Sequence, residues 1–147
     1  MKLYMIRHGE TSWNKAKKLQ GRKDIMLDAD GIRLAELTGE GMKDIDFDLA
    51  ISSPLMRARQ TAELVLAGRE IPMITDKRII EMSFGKWEGE SVRHSEIVTE
   101  EFADKFFHDP YHCPKAPGGE SFRDVLERTA DFYQSLIQNQ AYKDANI

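Results

Sequence analysis

The chain has 147 residues, of which 41% are hydrophobic, enough for one compact domain with its own core. Its 21 basic and 25 acidic side chains give a net charge of -4, which argues against general attraction to nucleic acid or to an anionic membrane. No apolar run approaches the roughly 20 residues of a membrane helix, and no signal-peptide core is present. We therefore expect a single cytoplasmic domain over residues 1–147.

Metal and disulfide chemistry are not indicated by the sequence. Cys113 is the single cysteine, which excludes an internal disulfide. No histidine or cysteine pair has the spacing of a structural zinc site. We expect no metal and no organic cofactor.

The first half of the chain alternates short apolar runs with amphipathic segments. Strands are predicted for residues 3–6, for residues 48–51 and, after Pro72, for the later part of residues 71–80. Helices are predicted for residues 30–42, interrupted by Gly39 and Gly41, and from a serine-proline cap at residues 52–54 to Gly68. Strands alternating with helices in this way predict a parallel sheet in an α/β protein.

The second half is predicted to be mainly helical. Residues 91–107 have inward apolar positions, and a loop rich in proline and glycine follows over residues 109–119. Ser121 and Asp124 then form the start of a helix whose apolar positions follow the 3.6-residue period closely. Ligand crevices of such sheets lie beyond the carboxyl ends of the strands, where residues 7–8 and 52–53 are expected to meet.

Arg7 and His8 are expected in this crevice and have side chains suited to phosphoryl transfer. Phosphoryl transfer needs a nucleophile, fixed positive charge around the phosphate oxygens and an acid for the leaving group. A neutral imidazole is nucleophilic near pH 7, and a hydrogen bond from its second nitrogen can fix the tautomer. Gly9 would let a phosphate approach the backbone. An isolated Arg-His pair could equally be a solvated strand end, but this pair is accompanied by further motifs.

These motifs follow one another in a fixed order along the chain. They are RHGET at residues 7–11, WN at 13–14, QG at 20–21, SSPLMRARQTA at 52–62, IEMSFGKWEG at 80–89 and PGGES at 117–121. The ordered set resembles the histidine phosphatase superfamily in its phosphoglycerate mutase-like branch. The resemblance implies a three-layer α/β/α sandwich with a mostly parallel sheet, in which residues 91–119 form a cap segment.

The resemblance also implies the site residues. His8 would accept the phosphoryl group, and Arg7 and Arg57 would grip the phosphate. Glu81 would donate the proton to the leaving group. Asn14 would help to bind the phosphate, and Gln20 and Gly21 are weaker candidates for contact with the phosphate or the substrate. Arginine suits the grip because its fork donates two parallel hydrogen bonds to phosphate oxygens, and Arg59 points about 200° away from Arg57 on a helix.

One part of the family pattern is missing. The family has a second catalytic histidine, in a His-Gly pair on a strand after the long helix, and none of His94, His108 and His112 matches it. We expect a fold that lacks its C-terminal strands and helix, and an exposed sheet edge that could support a homodimer. Glu120, in the PGGES motif, could line the mouth of the pocket or favour the dipole of the following helix.

Three functions are compatible with these residues. The first is a phosphatase that hydrolyses small-molecule phosphate esters through phospho-His8. A phosphoglycerate mutase would use the same residues, but the segment from Glu81 to Gly118 is short for that activity. The third is an impaired phosphate-binding or assembly protein, which the absent second histidine would explain. The sequence does not identify the substrate.

Overall fold

The computed structural model describes residues 1–92 and 94–147 and has the predicted α/β architecture with a small parallel sheet. The helices are α1 (Ser12–Lys15), α2 (Ala29–Gly41), α3 (Met56–Leu66), α4 (Glu100–His108) and α5 (Phe122–Gln138). The strands are β1 (Ala50–Ser52) and β2 (Met73–Thr75), which pair in parallel with Ala50 opposite Met73. Among the described residues, none of these helices combines the length and apolarity needed to cross a membrane.

The N-terminal run pairs with the last residues of the chain. The amides of Lys2 and Tyr4 donate to the carbonyls of Ala145 and Ile147 at 2.8 and 2.7 Å, and the amide of Asp48 donates to that of Asn146 at 2.9 Å. Residues 145–147 therefore lie between the N-terminal run and the segment that leads into β1. The prediction of a buried strand over residues 3–6 is wrong, because this pairing reaches only as far as Tyr4 and Met5 is 89% exposed.

Helix α2 confirms the prediction for residues 30–42 and begins one residue earlier. Asp28 caps it by accepting the amide of Gly31 at 2.9 Å. Gly39 does not interrupt the helix. A β-carbon at Gly39 would lie 2.8 Å from the carbonyl oxygen of Val65, so the glycine allows α2 to pack closely on α3.

The start of α3 differs from the prediction. The helix begins at Met56, after Ser53 and Pro54, and no side chain of the predicted cap bonds to its first turn. Asp24, from a distant loop, accepts the Met56 amide at 2.6 Å instead. A residue brought in by the tertiary fold thus replaces the local cap. The predicted end is confirmed, since Ala67 and Gly68 have φ values of 51° and 74°.

The segment over residues 91–119 is less helical than predicted. Helix α4 begins only at Glu100, where Thr99 accepts the amide of Phe102 at 3.2 Å. The predicted helix over residues 91–107 is therefore wrong in its first part, and Arg93 lies outside the described residues. A core cluster joins this segment to the loop after β2; it consists of Leu19, Met82, Phe84, Trp87, Val98, Phe102, Cys113 and Ala116.

Helix α5 confirms the capping box predicted for Ser121 and Asp124. The Ser121 hydroxyl accepts the Asp124 amide at 3.1 Å, and the Asp124 carboxylate accepts the Ser121 amide at 2.8 Å. Its inner face carries Val125, Thr129 and Phe132, which line a large cleft.

Candidate active site

A cleft of about 580 Å³ opens between the N-terminal run and β1. Side chains of α3 and α5 form further parts of its wall. Four of the predicted site residues line it together: Arg7, His8, Arg57 and Glu81. Ser52 and Ser53 also line it, so the two strand ends that were expected to meet do face one cleft.

The imidazole of His8 is oriented by its own loop. Its Nδ1 lies 2.7 Å from the carbonyl oxygen of Gly9. A carbonyl can only accept, so Nδ1 carries the proton and Nε2 keeps a free electron pair. Burial lowers the pKa of His8 below its usual value, and the nearby charges of Arg57 and Arg7 act in the same direction, against the bonded carbonyl and Glu81. The ring is therefore neutral and nucleophilic near pH 7.

Arg57 is the most buried charged group of the site, at 1% exposure. Its Nη1 and Nη2 donate to the carbonyls of Lys23 and Gly21 at 2.9 and 2.8 Å. Its Nε is buried and has no hydrogen-bond partner among residues 1–92 and 94–147. A buried N–H without an acceptor costs about 1–3 kcal/mol, so the fold holds this guanidinium in place at a cost in stability.

The loop that carries His8 is fixed from two sides. The amide of Gly9 donates to the hydroxyl of Thr61 on α3 at 3.0 Å, and that hydroxyl donates to the carbonyl of Arg57 at 2.7 Å. On the other side, a β-carbon at Gly9 would lie 2.6 Å from the carbonyl oxygen of Gly31. The two glycines therefore allow the loop to lie directly on the start of α2. Although Thr61 is part of a motif seen in the sequence, its spacing alone did not assign this role.

Glu81 is exposed and reaches the same cleft from the loop after Lys77–Ile79. Its Oε1 accepts the amide of Met82 at 2.8 Å. The two residues after Glu81 are anchored, because Met82 is buried in the core cluster and the Ser83 amide donates to Glu120. The carboxylate thus sits at the solvent side of a held loop, where a leaving group could reach it.

The weaker candidates lie outside the lining of this cleft within the described part of the chain. The side-chain Oδ1 of Asn14 accepts from the amide and hydroxyl of Thr11 at 3.0 and 2.9 Å, which closes the capping box of α1. Gln20 is bonded to the same hydroxyl at 3.0 Å. Gly21 acts through the carbonyl that holds Arg57. Direct phosphate contacts of Asn14, Gln20 and Gly21 stay predictions.

Three carboxylates gather near the site, but they surround a lysine. The Nζ of Lys15 lies 2.5 Å from Asp30, 2.9 Å from Asp28 and 3.8 Å from Glu10. The hydrogen bond from the Gly31 amide lowers the pKa of Asp28 most, and the bond from Lys15 lowers it further. The chain thus supplies its own cation to this cluster, which joins α1 to the start of α2.

The sequence matches the family model of the histidine phosphatase superfamily, branch 1, over residues 3–147. The chain belongs to the histidine phosphatase superfamily. Among curated relatives, the Bacillus subtilis protein named "Uncharacterized phosphatase PhoE" is 32% identical over 143 residues, covering 97% of this chain and 67% of its own length. The Xenopus tropicalis protein named "Fructose-2,6-bisphosphatase TIGAR" is 33% identical over 141 residues.

Solved structures of the superfamily agree with the fold. The alpha-ribazole phosphatase from Shigella flexneri superposes with a TM-score of 0.86 at 34% identity, covering all of this chain. This chain spans 71% of that structure and 50% of the frog bisphosphatase. The predicted family and fold are thereby confirmed, over part of the length of these relatives.

Proposed function

We propose that this chain is a phosphomonoester phosphatase that works through a phosphohistidine at His8. The observation that carries the proposal is that His8, with a free Nε2, and the buried guanidinium of Arg57 line one cleft and lie close enough that, besides burial, the charge of Arg57 lowers the pKa of His8. A nucleophile and a fixed positive charge are the two groups that phosphoryl transfer needs first. Membership in a superfamily that includes named phosphatases adds support.

The first chemical step forms the phosphoenzyme. The Nε2 electron pair of His8 attacks phosphorus and forms an N–P bond, while the P–O bond to the leaving group breaks. Arg7 and Arg57 stabilise the charge on the other phosphate oxygens. Glu81, in its acid form, gives its proton to the leaving oxygen, which departs as an alcohol.

The second step returns the enzyme to its starting state. Water attacks phosphorus and gives a proton to the Glu81 carboxylate as the N–P bond breaks. Inorganic phosphate leaves with the oxygen of water, and His8 is neutral again, with Nδ1 still protonated and donating to the Gly9 carbonyl. Each group is thus restored, and no cofactor enters the cycle.

The substrate class is a small-molecule phosphate ester. The relatives named for their substrates act on a sugar bisphosphate and on alpha-ribazole phosphate. Both substrates are phosphate monoesters whose leaving groups differ. Arg7, His8, Arg57 and Glu81 would act on the phosphate that these substrates share. Residues 91–119 would contact the leaving group, which differs between substrates. We keep mutase activity as the alternative use of the same residues.

The decisive experiment looks for the phosphoenzyme. After reaction with an aryl phosphate, mass spectrometry should find an acid-labile, base-stable phosphoryl group on His8. His8→Ala should abolish both the adduct and turnover, whereas Arg59→Ala, at an exposed position of α3 outside the cleft lining, should retain them. Unchanged turnover in His8→Ala would exclude the mechanism. Stabilisation by phosphate without any adduct would favour a binding protein, and phosphoryl return to a sugar acid would favour a mutase.

A further inference from the structure

The Glu120 carboxylate joins three segments near the cleft. It accepts the amide of Ser83 at 3.0 Å, Nη2 of Arg22 at 2.8 Å and, at 3.1 and 3.2 Å, two nitrogens of Arg128. Its side chain is only 18% exposed. Burial alone would raise the pKa of Glu120, but the hydrogen bonds and charges of these partners lower it. The Glu120 carboxylate is therefore charged, largely buried and shared by three segments of the chain.

The same junction holds both ends of the segment that carries Glu81. Glu120 grips Ser83 twice, since the backbone amide of Glu120 also donates to the Ser83 carbonyl at 2.9 Å. Arg128, held by Glu120, donates through Nη1 to the carbonyl of Arg78 at 2.6 Å. Residues 78–83 are therefore anchored at their first and last positions by one Glu-Arg pair, with Glu81 between the anchors.

A third connection leads to the phosphate grip. Arg22, bonded to Glu120, lies between Gly21 and Lys23, whose carbonyls hold the guanidinium of Arg57. The amide of Arg22 is fixed separately by Glu88 at 2.9 Å. The Glu120 carboxylate thus links the loop that presents Glu81 with the loop that holds Arg57.

Glycines in two motifs make this arrangement possible. A β-carbon at Gly119 would lie 2.6 Å from the carbonyl oxygen of Ser83, and one at Gly85 would collide with the carbonyl of Pro117. Any larger residue would push the PGGES segment away from the Glu81 loop. The cap of α5 does not need Glu120, because Ser121 and Asp124 complete the capping box. The carboxylate is therefore available for its long-range bonds.

We propose that Glu120 is a positioning residue, which sets the place of the Glu81 carboxylate relative to the phosphate held by Arg57. The inference rests on the proposed function for its catalytic consequence. Replacing the carboxylate by an amide removes the charge and leaves one accepting oxygen for four donors. The Glu81 loop and the Arg22 loop then lose their common anchor.

The test compares two leaving groups in Glu120→Gln. An alkyl phosphate needs a proton from Glu81, whereas 2,4-dinitrophenyl phosphate leaves without one. We expect the alkyl ester to be slowed about tenfold to hundredfold, and the aryl ester by less than about threefold, because Glu88 still holds the Arg22 amide and the loss falls mainly on acid catalysis. Glu127→Gln, on the exposed side of α5, is the matched control and should change neither rate. Equal losses with both esters would overturn the positioning role.

A second measurement separates this inference from the proposed function. Amide hydrogen exchange should accelerate at residues 78–83 and 21–23 in Glu120→Gln, and not in Glu127→Gln, whether or not the protein turns over. Unchanged exchange would overturn the anchor. A wild-type protein that forms no phosphohistidine would instead overturn the proposed function. The hydrogen-exchange comparison would still test whether Glu120 anchors these two loops.

Discussion

The Thr61 hydroxyl accepts the backbone amide of Gly9 at 3.0 Å, which ties α3 to the loop that carries His8. Both groups are buried. Since a buried amide that loses its acceptor keeps its full desolvation cost, we expect Thr61→Val to lower the free energy of unfolding by about 1–3 kcal/mol. The variant should also weaken binding of phosphate or vanadate.

Thr38→Val is the matched control for this substitution. The Thr38 hydroxyl also bonds to a carbonyl one turn back in its helix, that of Leu34 at 2.8 Å, but it lies near the surface. Denaturant unfolding of both variants gives the comparison. Equal destabilisation in the two would mean that the bond to Gly9 contributes nothing specific.

The lowered pKa of His8 predicts how stability changes with pH. Burial is the main cause, and the folded chain keeps His8 neutral below the pH at which the unfolded chain protonates it, near 6.5. As pH falls below 6.5, the unfolded state gains protons that the folded state does not, so the wild type loses stability. The loss stops below the folded pKa.

His8→Asn removes this titration. As pH falls from 7.5 to about 5, the unfolding free energy of the wild type should therefore decrease more than that of His8→Asn. Chemical denaturation across this range measures it, and other titrating groups cancel in the difference. Parallel pH profiles would show that His8 is not perturbed.

Gly31 and Gly41 lie on one helix and predict opposite results. A β-carbon at Gly31 would collide with the backbone of Glu10, whereas one at Gly41 would meet nothing within 4 Å. We expect Gly31→Ala to destabilise the protein by about 1–3 kcal/mol and to displace the His8 loop. Gly41→Ala should be neutral or slightly stabilising, since alanine favours a helix. Thermal unfolding and vanadate affinity of both variants check this, and a tolerated Gly31→Ala would contradict it.

The expected homodimer stays a prediction, and the N-terminal run offers a way to test it. The pairing of the N-terminal run with residues 145–147 ends at Tyr4, and the next residue, Met5, is 89% exposed. We expect association at high concentration that Met5→Lys reduces, because a charge disfavours pairing at a sheet edge. Met26→Lys, at another exposed methionine, is the control. Sedimentation that shows monomers at all concentrations would exclude the edge contact.

Local signals predicted those parts of the fold that depend on neighbours in sequence. The capping box at Ser121 and the period of α5 needed only residues within a few turns, and the structure confirms both. The start of α3 could not be found this way, because its cap acceptor comes from Asp24, 32 residues earlier. The helix expected from residue 91 likewise begins at Glu100, where Thr99 can cap it.

The sequence by itself determined the family and the chemical types at the site, because the order of RHGET, SSPLMRARQTA and the later motifs depends on residue identity alone. Only the tertiary structure decided which of these residues share a cleft. It bonded Asn14 and Gln20 to Thr11, left the buried Nε of Arg57 without a partner in the described part of the chain, and made Glu120 a junction of three segments. Burial and partners distant in sequence decide these outcomes, and no local pattern encodes them.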